Sequence, residues 1–389
     1  MMPWTAGGGQ QLTVGARVNA VLMMFAIASL AFTASPGVAQ SAPPFIEQIA
    51  VIGTDFTAVT SVRELSDGRV LVVEYDKHNL LALLNPVTRK KVRVGAYGDG
   101  PGEYRSLSTL QAVGKDSTLM LESGGLRWQL LRHDSVITLP DAARGKRTPD
   151  LNGYAGMDAR WNWLMTVGLS GKSRQSKIAP IYADSIGLIR FSITGKRDTL
   201  ARLKGYNLGQ LSRVPTVNGQ RGIRFEVMNP LSTHEQAKLF TDGTIAIALL
   251  NPYRIDWILT NGTRTRGKPV EPNAPLSAKA KQVLVSQNMR NTDGTAVFTE
   301  SDLPPFPLDV PAFLWRALHA GADGRLYVLR TLIDKDGPST YDVFDRTGKR
   351  SQFRLPDRAV LIGSGTRGLY VTIRDENDLV SLALFKYPP

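Results

Sequence analysis

Four charged side chains lie at equivalent positions after four separate turns, each about six residues beyond a turn glycine or aspartate: Glu74, Glu122, Arg330 and Arg374. The planar guanidinium groups of the arginines suit a carboxylate or phosphate. The two glutamates suit a cationic group or a metal ion. If the turns repeat around an axis, the four side chains lie at one height and form a mixed-charge pocket at a channel mouth for a polar or zwitterionic ligand. The alternative is that each one caps its strand and pairs with a neighbour.

The residue types that support metal and nucleophilic chemistry are scarce. The chain has 4 histidines and 0 cysteines, which excludes disulfides, thiolate nucleophiles and Cys-bound zinc. His78, His133, His234 and His319 show no spacing that places two of them on one metal, and no Asp-x-Asp-x-Asp run indicates calcium. The sequence therefore predicts no catalytic residue and no cofactor, with calcium left as an alternative.

Three short motifs imitate known sites. Residues 98–104 (GDGPGEY) are rich in glycine, but Pro101 lacks an amide donor and an apolar strand follows, whereas a phosphate loop precedes a helix. We interpret this segment as a structural turn. Residues 171–173 (GKS) lack the earlier glycine of a Walker A loop, and Ser364 lies in Gly-Ser-Gly, which is not a nucleophile elbow.

The elements that must position these residues are short strands that follow turns. The clearest turns contain Asp-Gly, as in residues 66–69, 241–244 and 322–325, and each precedes a run such as VLVV, IAIA or LYVL. Asp-Gly is typical of two-residue hairpin turns, in which both residues have positive φ.

The spacing of these units predicts the architecture. Six turns begin the pattern, at or near Asp67, Asp116, Asp158, Asp242, Asp323 and Thr366. Most are roughly 40 to 50 residues apart, which is the repeat of a four-stranded propeller blade, and two gaps are nearly twice as long. The prediction is an all-β, six-bladed β-propeller with four-stranded antiparallel blades. Residues 274–289 carry a helical pattern and predict one helix inserted between blades, whereas residues 143–156 and 205–224 predict polar connections.

The ends of the chain predict closure and export. Residues 45–52 form an apolar strand with no nearby partner, and we expect them to supply the fourth strand of the last blade. Residues 1–39 contain Arg17, an apolar run, a Pro-Gly break and small residues before the end, which is the order of a cleaved signal peptide. The predicted domains are thus a signal peptide at 1–39 and a propeller at 40–389, in a periplasmic or secreted protein with no membrane span after cleavage.

The net charge of +13 leaves one further class of partner to consider. Its positive residues are scattered and are not interleaved with aromatic side chains, so nucleic acid is not an expected partner. A binder of an anionic polymer stays an alternative that the charge alone supports.

The segment at residues 98–104 and the strand and Asp-Ser-Thr-Leu turn after it resemble secreted bacterial six-bladed propellers of the TolB-like and NHL-like type. Residues 341–345 (YDVFD) and 375–379 (DENDL) are also similar to those chains. The resemblance covers roughly residues 45–389 and implies the fold, whereas propellers host enzymes, scaffolds and binders alike.

The function that we expect is a non-catalytic binding or scaffold propeller in the cell envelope, present as a monomer. Its partner would be a protein segment or a small polar ligand. The alternative implied by the resemblance is a metal-assisted lyase or lactone hydrolase of the NHL-like type.

Overall fold

The structure is a computed structural model. It describes residues 42–75, 80–122, 127–132, 135–139, 154–168, 185–192, 194–206, 210–213, 216–217, 220–221, 225–271, 275–288, 306–334 and 336–389. The predicted signal peptide at residues 1–39 lies outside these residues. No helix in the described ranges is long and apolar enough to cross a membrane.

The first third of the chain forms a single strand, two blades and a short connection between them. The strands are β1 (Gln48–Phe56), β2 (Ala58–Glu64), β3 (Val70–Tyr75), β4 (Leu80–Leu84), β5 (Lys91–Arg93), β6 (Ala96–Tyr97), β7 (Glu103–Tyr104), β8 (Leu107–Ala112), β9 (Ser117–Glu122), β10 (Trp128–Arg132) and β11 (Ser135–Thr138). Blade 1 is β2-β3-β4-β5, and blade 2 is β8-β9-β10-β11.

The middle of the chain forms blades 3 and 4. Its strands are β12 (Tyr154–Met157), β13 (Trp163–Gly168), β14 (Ser185–Phe191), β15 (Arg197–Tyr206), β16 (Gln210–Arg213), β17 (Thr216–Val217), β18 (Gln220–Arg221), β19 (Phe225–Met228), β20 (Thr233–His234), β21 (Gln236–Leu239), β22 (Ile245–Leu250), β23 (Tyr253–Ile258) and β24 (Arg264–Thr265). Blade 3 is β12-β13-β14-β15, to which β20 adds a fifth strand, and blade 4 is β21-β22-β23-β24. The predicted connection at residues 205–224 was wrong in part, because β16 pairs with β19 and β17 with β18 there.

The last third forms a helix and blades 5 and 6. Its elements are α1 (Ala278–Asn288), β25 (Leu318–Ala320), β26 (Leu326–Leu329), β27 (Pro338–Phe344), β28 (Arg350–Asp357), β29 (Ala359–Gly365), β30 (Gly368–Arg374) and β31 (Val380–Phe385). Blade 5 is β25-β26-β27-β28, and blade 6 is β29-β30-β31-β1. The six-bladed propeller and its inserted helix are therefore confirmed.

Hydrophobic clusters fill the spaces between neighbouring blades. Among the described residues, buried clusters join blades 1–2, 2–3, 3–4, 4–5, 5–6 and 6–1 in turn. The second strand of each blade is covered on both faces, and this explains why runs such as VLVV and IAIA are apolar throughout rather than alternating. The packing of blade on blade thus closes a ring around an axis.

The turns between first and second strands differ from the two-residue type that Asp-Gly predicted. In blade 1 the amide of Gly68 donates to the carbonyl of Leu65 at 3.0 Å, and the amide of Leu65 donates to the carbonyl of Arg69 at 2.8 Å. Gly68 has φ +84°, whereas Asp67 has no positive φ. The carboxylate of Asp67 accepts the Arg69 amide at 2.9 Å, so the aspartate stabilises a longer turn that ends in a left-handed glycine.

The ring closes through the chain's first described strand. β1 pairs with β31 from Gln48 opposite Phe385 to Phe56 opposite Val380, so closure by an N-terminal strand is confirmed. The predicted bounds, residues 45–52, begin and end too early in the chain. Phe45 pairs with Arg354 of blade 5 instead. The strand extends to Phe56, which is 1% exposed between blades 6 and 1.

The glycine-rich segment at residues 98–104 is a structural turn, as its sequence indicated. The carboxylate of Glu103 accepts the amide of Gly100 at 2.8 Å. Tyr104 is fully buried, and its hydroxyl donates to the carbonyl of Val94 at 2.6 Å and accepts the amide of Leu81 at 2.9 Å. These bonds therefore stabilise the connection from blade 1 to blade 2, and the Gly100 amide is already bonded to Glu103.

Candidate functional site

The inner strands β2, β8, β12, β21, β25 and β29 surround an axial channel with a volume of about 780 Å³. Each inner strand begins at the face where the second strands end, which we call the upper face, because neighbouring strands in a blade are antiparallel. Side chains on these strands are held by the ladders of rigid sheets, so the channel wall is preformed.

One side of the channel wall, formed by blades 4 and 5, is basic. Lys238 lies on β21 and His319 on β25, and both side chains line the channel. Among the described residues, the Lys238 ammonium has no hydrogen bond and no ion pair. Burial lowers the pKa of Lys238 below its ordinary value, and burial together with the Lys238 charge lowers the pKa of His319 to about 4. His319 is therefore neutral at neutral pH, and Lys238 is the amine that this wall presents to the channel.

The upper mouth of the channel on the same side carries an aromatic ring and a second cation. One residue separates the pair Trp315 and Arg316 from the start of β25, and the Arg316 guanidinium lies 5.1 Å from the Trp315 ring centroid. The ring of His234 lies 6.3 Å from that of Trp315, and burial lowers the pKa of His234. This rim thus offers an aromatic face and a guanidinium to a molecule that enters the channel.

Apart from Arg63 and Glu122, the wall of blades 1 to 3 is uncharged and polar, and most of its groups already bond within the protein. The Ser61 hydroxyl accepts the amide of Leu110 at 2.9 Å. The Gln111 side-chain amide donates to the carbonyl of Met157 at 2.6 Å, and its oxygen accepts the hydroxyl of Tyr154. These hydrogen bonds join blade 1 to blade 2 and blade 2 to blade 3, and they stabilise the shape of the wall.

The lower end of the channel contains an arginine whose guanidinium already bonds within the protein. Arg63 is buried and donates to the carbonyls of Gly114 at 2.9 Å and Lys115 at 3.0 Å in the turn of blade 2. Burial lowers the pKa of Arg63 to about 10, although the Asp116 carboxylate opposes that shift. Arg63 is therefore a link between blades and not a group available to a ligand.

Glu122 is the one sequence-predicted site residue that lines the channel. Its side chain is 1% exposed, and its carboxylate lies 3.0 Å from the Arg127 guanidinium. It also accepts the Gln129 side-chain amide at 3.1 Å and the backbone amide of Arg105 at 3.2 Å. Because these donors surround the carboxylate, its charge is balanced inside the protein.

The other three predicted residues lie at the same end of their second strands, as the repeat indicated, but outside the channel lining. Each contacts its own blade: Glu74 with Lys91 at 2.7 Å, Arg330 with Asp342 at 3.3 Å, and Arg374 with Asp378 at 3.5 Å. No described contact joins any two of the four predicted residues. A shared role of the four in ligand binding stays a prediction.

Metal donors show no convergence in the part of the chain that the structure describes: no three His, Asp or Glu side chains lie close enough together to hold one ion. His78 and His133 lie outside the described residues. His234, on the strand β20 that pairs with blade 3, and His319, on β25 of blade 5, both line the channel.

Lys238 and His319 were missed as site residues from sequence. Each lies on the short strand that precedes a turn, whereas the predicted residues follow the turns. The available signal was a basic residue within an otherwise apolar run, as at Lys238 between Ala237 and Leu239. Lys238 and His319 also lie at the same distance before the aspartate of the next turn.

No protein-family model and no curated protein sequence matches the chain. Solved structures that align with this chain include virginiamycin B lyase from Staphylococcus aureus, at 12% sequence identity and a TM-score of 0.39. The alignment covers 87% of this chain and 98% of that one. Others are a member of the DUF4221 family from Bacteroides vulgatus (6%, 88% and 96%, TM-score 0.45) and regucalcin, a calcium-binding protein from Agrobacterium tumefaciens (12%, 89% and 97%, TM-score 0.38). At these identities and scores the likenesses carry no argument about activity, and the propeller assignment rests on the strand pairing described above.

Proposed function

We propose that the protein is a non-catalytic binding propeller that holds a small polar ligand in its axial channel. The observation that carries the proposal is the channel itself, whose volume of about 780 Å³ lies within the range of roughly 300–1,000 Å³ typical of small-molecule sites. Its wall is more polar than apolar and takes polar side chains from all six inner strands, which suits a polar ligand. We place the protein in the cell envelope because residues 1–39 have the order of a signal peptide.

The test is a screen of small polar metabolites against the full propeller, measured by ligand-observed NMR. The matched variant is Thr60→Trp, because Thr60 is an exposed residue of the channel lining on β2 and a bulky ring there narrows the channel. We expect at least one compound to bind the native protein and to lose binding in Thr60→Trp while the melting temperature is retained. Compounds that bind both proteins equally, or no binding by any compound, would contradict the proposal.

The metal-assisted lyase or lactone hydrolase is tested separately by metal analysis of the purified protein. The binding proposal expects no stoichiometric metal. Calcium or zinc bound at one ion per chain would favour the enzyme instead, if a chelator removes the ion and abolishes conversion of a substrate.

A further inference from the structure

We propose that the channel ligand carries an oxyanion, a carboxylate or a phosphate, that is bound by the ammonium group of Lys238. This inference rests on the proposed function, since it names the chemical class of the ligand in the same channel.

The basic groups of the channel lining are unevenly paired. Its described ionisable groups include one carboxylate, that of Glu122, which Arg127 neutralises at 3.0 Å. Of the basic groups, Arg63 donates to the carbonyls of the blade 2 turn. Lys238 and Arg316 remain, and both lie on the side of blades 4 and 5. The basic groups without a hydrogen bond or ion pair to a described residue therefore lie on one side of the wall.

An unpaired ammonium group in a confined cavity destabilises the protein. A buried charge is stable when an opposite charge or several hydrogen bonds replace its lost hydration. Within the described part of the chain, neither is provided to Lys238. Its lowered pKa has burial as its cause and no carboxylate that opposes it. An oxyanion in the channel supplies both the charge and the acceptors that the wall lacks.

The groups around Lys238 also suit an oxyanion. His319 is neutral at neutral pH, so its ring N–H can donate a hydrogen bond to an oxyanion without adding a second buried charge. Thr60 and Thr109 bring hydroxyl groups from blades 1 and 2 to the opposite wall. Trp315 and Arg316 at the upper mouth offer a ring face and a cation to the rest of the molecule. The channel thus suits an elongated molecule with its anionic end directed inward.

Three probes of nearly equal shape separate charge from size: benzoate, benzamide and benzamidine, which carry negative, zero and positive charge. Phenyl phosphate distinguishes a phosphate from a carboxylate preference. Affinities are measured by ligand-observed NMR up to millimolar concentration at pH 7. We expect the native protein to bind benzoate or phenyl phosphate about 10-fold or more tightly than benzamide, and benzamidine most weakly.

The variant that tests the anchor is Lys238→Met, which keeps the length and apolar part of the side chain. We expect it to bind benzoate about 10-fold or more weakly and benzamide unchanged. Lys238→Arg should retain the anion preference. The control is Lys386→Met, because Lys386 is exposed and pairs with Glu47 at 2.6 Å outside the channel.

Two results would overturn the anion assignment. Equal or stronger binding of benzamide or benzamidine, lost in Thr60→Trp, would leave the channel as a ligand site but remove the oxyanion. A preference for benzoate that persists in Lys238→Met would show that another group binds the anion. If none of the probes binds and no metabolite binds in the wider screen, the proposed function fails together with this inference.

Discussion

Replacing Asp342 by alanine is expected to lower the free energy of unfolding by about 3–5 kcal/mol, the usual cost of removing one partner of a buried charged network. Asp342 lies on β27 of blade 5 and is fully buried. One carboxylate oxygen lies 2.7 Å from the Arg350 guanidinium and accepts the Gln352 amide at 2.8 Å. The other accepts the Tyr253 hydroxyl of blade 4 at 2.8 Å and lies 3.3 Å from Arg330.

The large effect follows from what the substitution leaves behind. Arg330 and Arg350 would both lose their bond to the Asp342 carboxylate, and the buried Tyr253 hydroxyl would lose its acceptor. An unsatisfied buried polar group costs about 1–3 kcal/mol, and more when it is charged. Because Tyr253 belongs to the neighbouring blade, the loss also weakens the packing of blade 4 on blade 5.

The measurement is denaturant unfolding followed by tryptophan fluorescence and circular dichroism. Asp342→Asn should fall between the native protein and Asp342→Ala, since an amide keeps an acceptor but not the charge. The matched control is Arg374→Ala, which removes an exposed pair at 3.5 Å and should cost less than about 1 kcal/mol. If Asp342→Ala is as stable as Arg374→Ala, the network does not stabilise the interface between these blades.

Residues Arg330 and Asp342 also show what the sequence could and could not predict. The repeat could give the position of Arg330 directly after the second strand of blade 5, because turn and strand are local patterns of a few residues. It could not give the distance of the side chain from the axis. That distance depends on Asp342 and Tyr253, which come from the next strand and from the preceding blade.

The channel residues were missed for a related reason. Lys238 and His319 belong to inner strands of 4 and 3 residues, too short for an alternating pattern to stand out. Their convergence needs the closed ring, which brings blades 4 and 5 together across an insertion that contains α1. The hairpins, by contrast, were predicted because each second strand is buried on both faces and therefore reads as an apolar run after a turn.

Closure of the ring by β1 is the other feature whose loss should have a large effect. A chain that begins at Thr57 lacks β1, and the C-terminal strand β31 then becomes an exposed edge. It also loses the buried side chains of Ile52 and Phe56 from the cluster between blades 6 and 1. Large core side chains cost about 2–5 kcal/mol each when truncated, so the two together approach the whole stability of a typical domain. We expect this chain to show no cooperative thermal transition, or one far below that of the native protein.

A permuted chain provides the decisive comparison. Gln48 lies opposite Phe385, and the amide of Lys386 donates to the carbonyl of Glu47 at 2.9 Å, so the end of β31 and the start of β1 are neighbours. Joining residues 43–56 to Pro389 through a short glycine-serine linker therefore makes β31 and β1 a hairpin in a chain that begins at Thr57. We expect this chain to regain the cooperative transition, because it restores the pairing and the core without the native connection to β2. Differential scanning calorimetry of the three chains measures the effect. A truncated chain that melts within a few degrees of the native protein would show that the ring is stable while open.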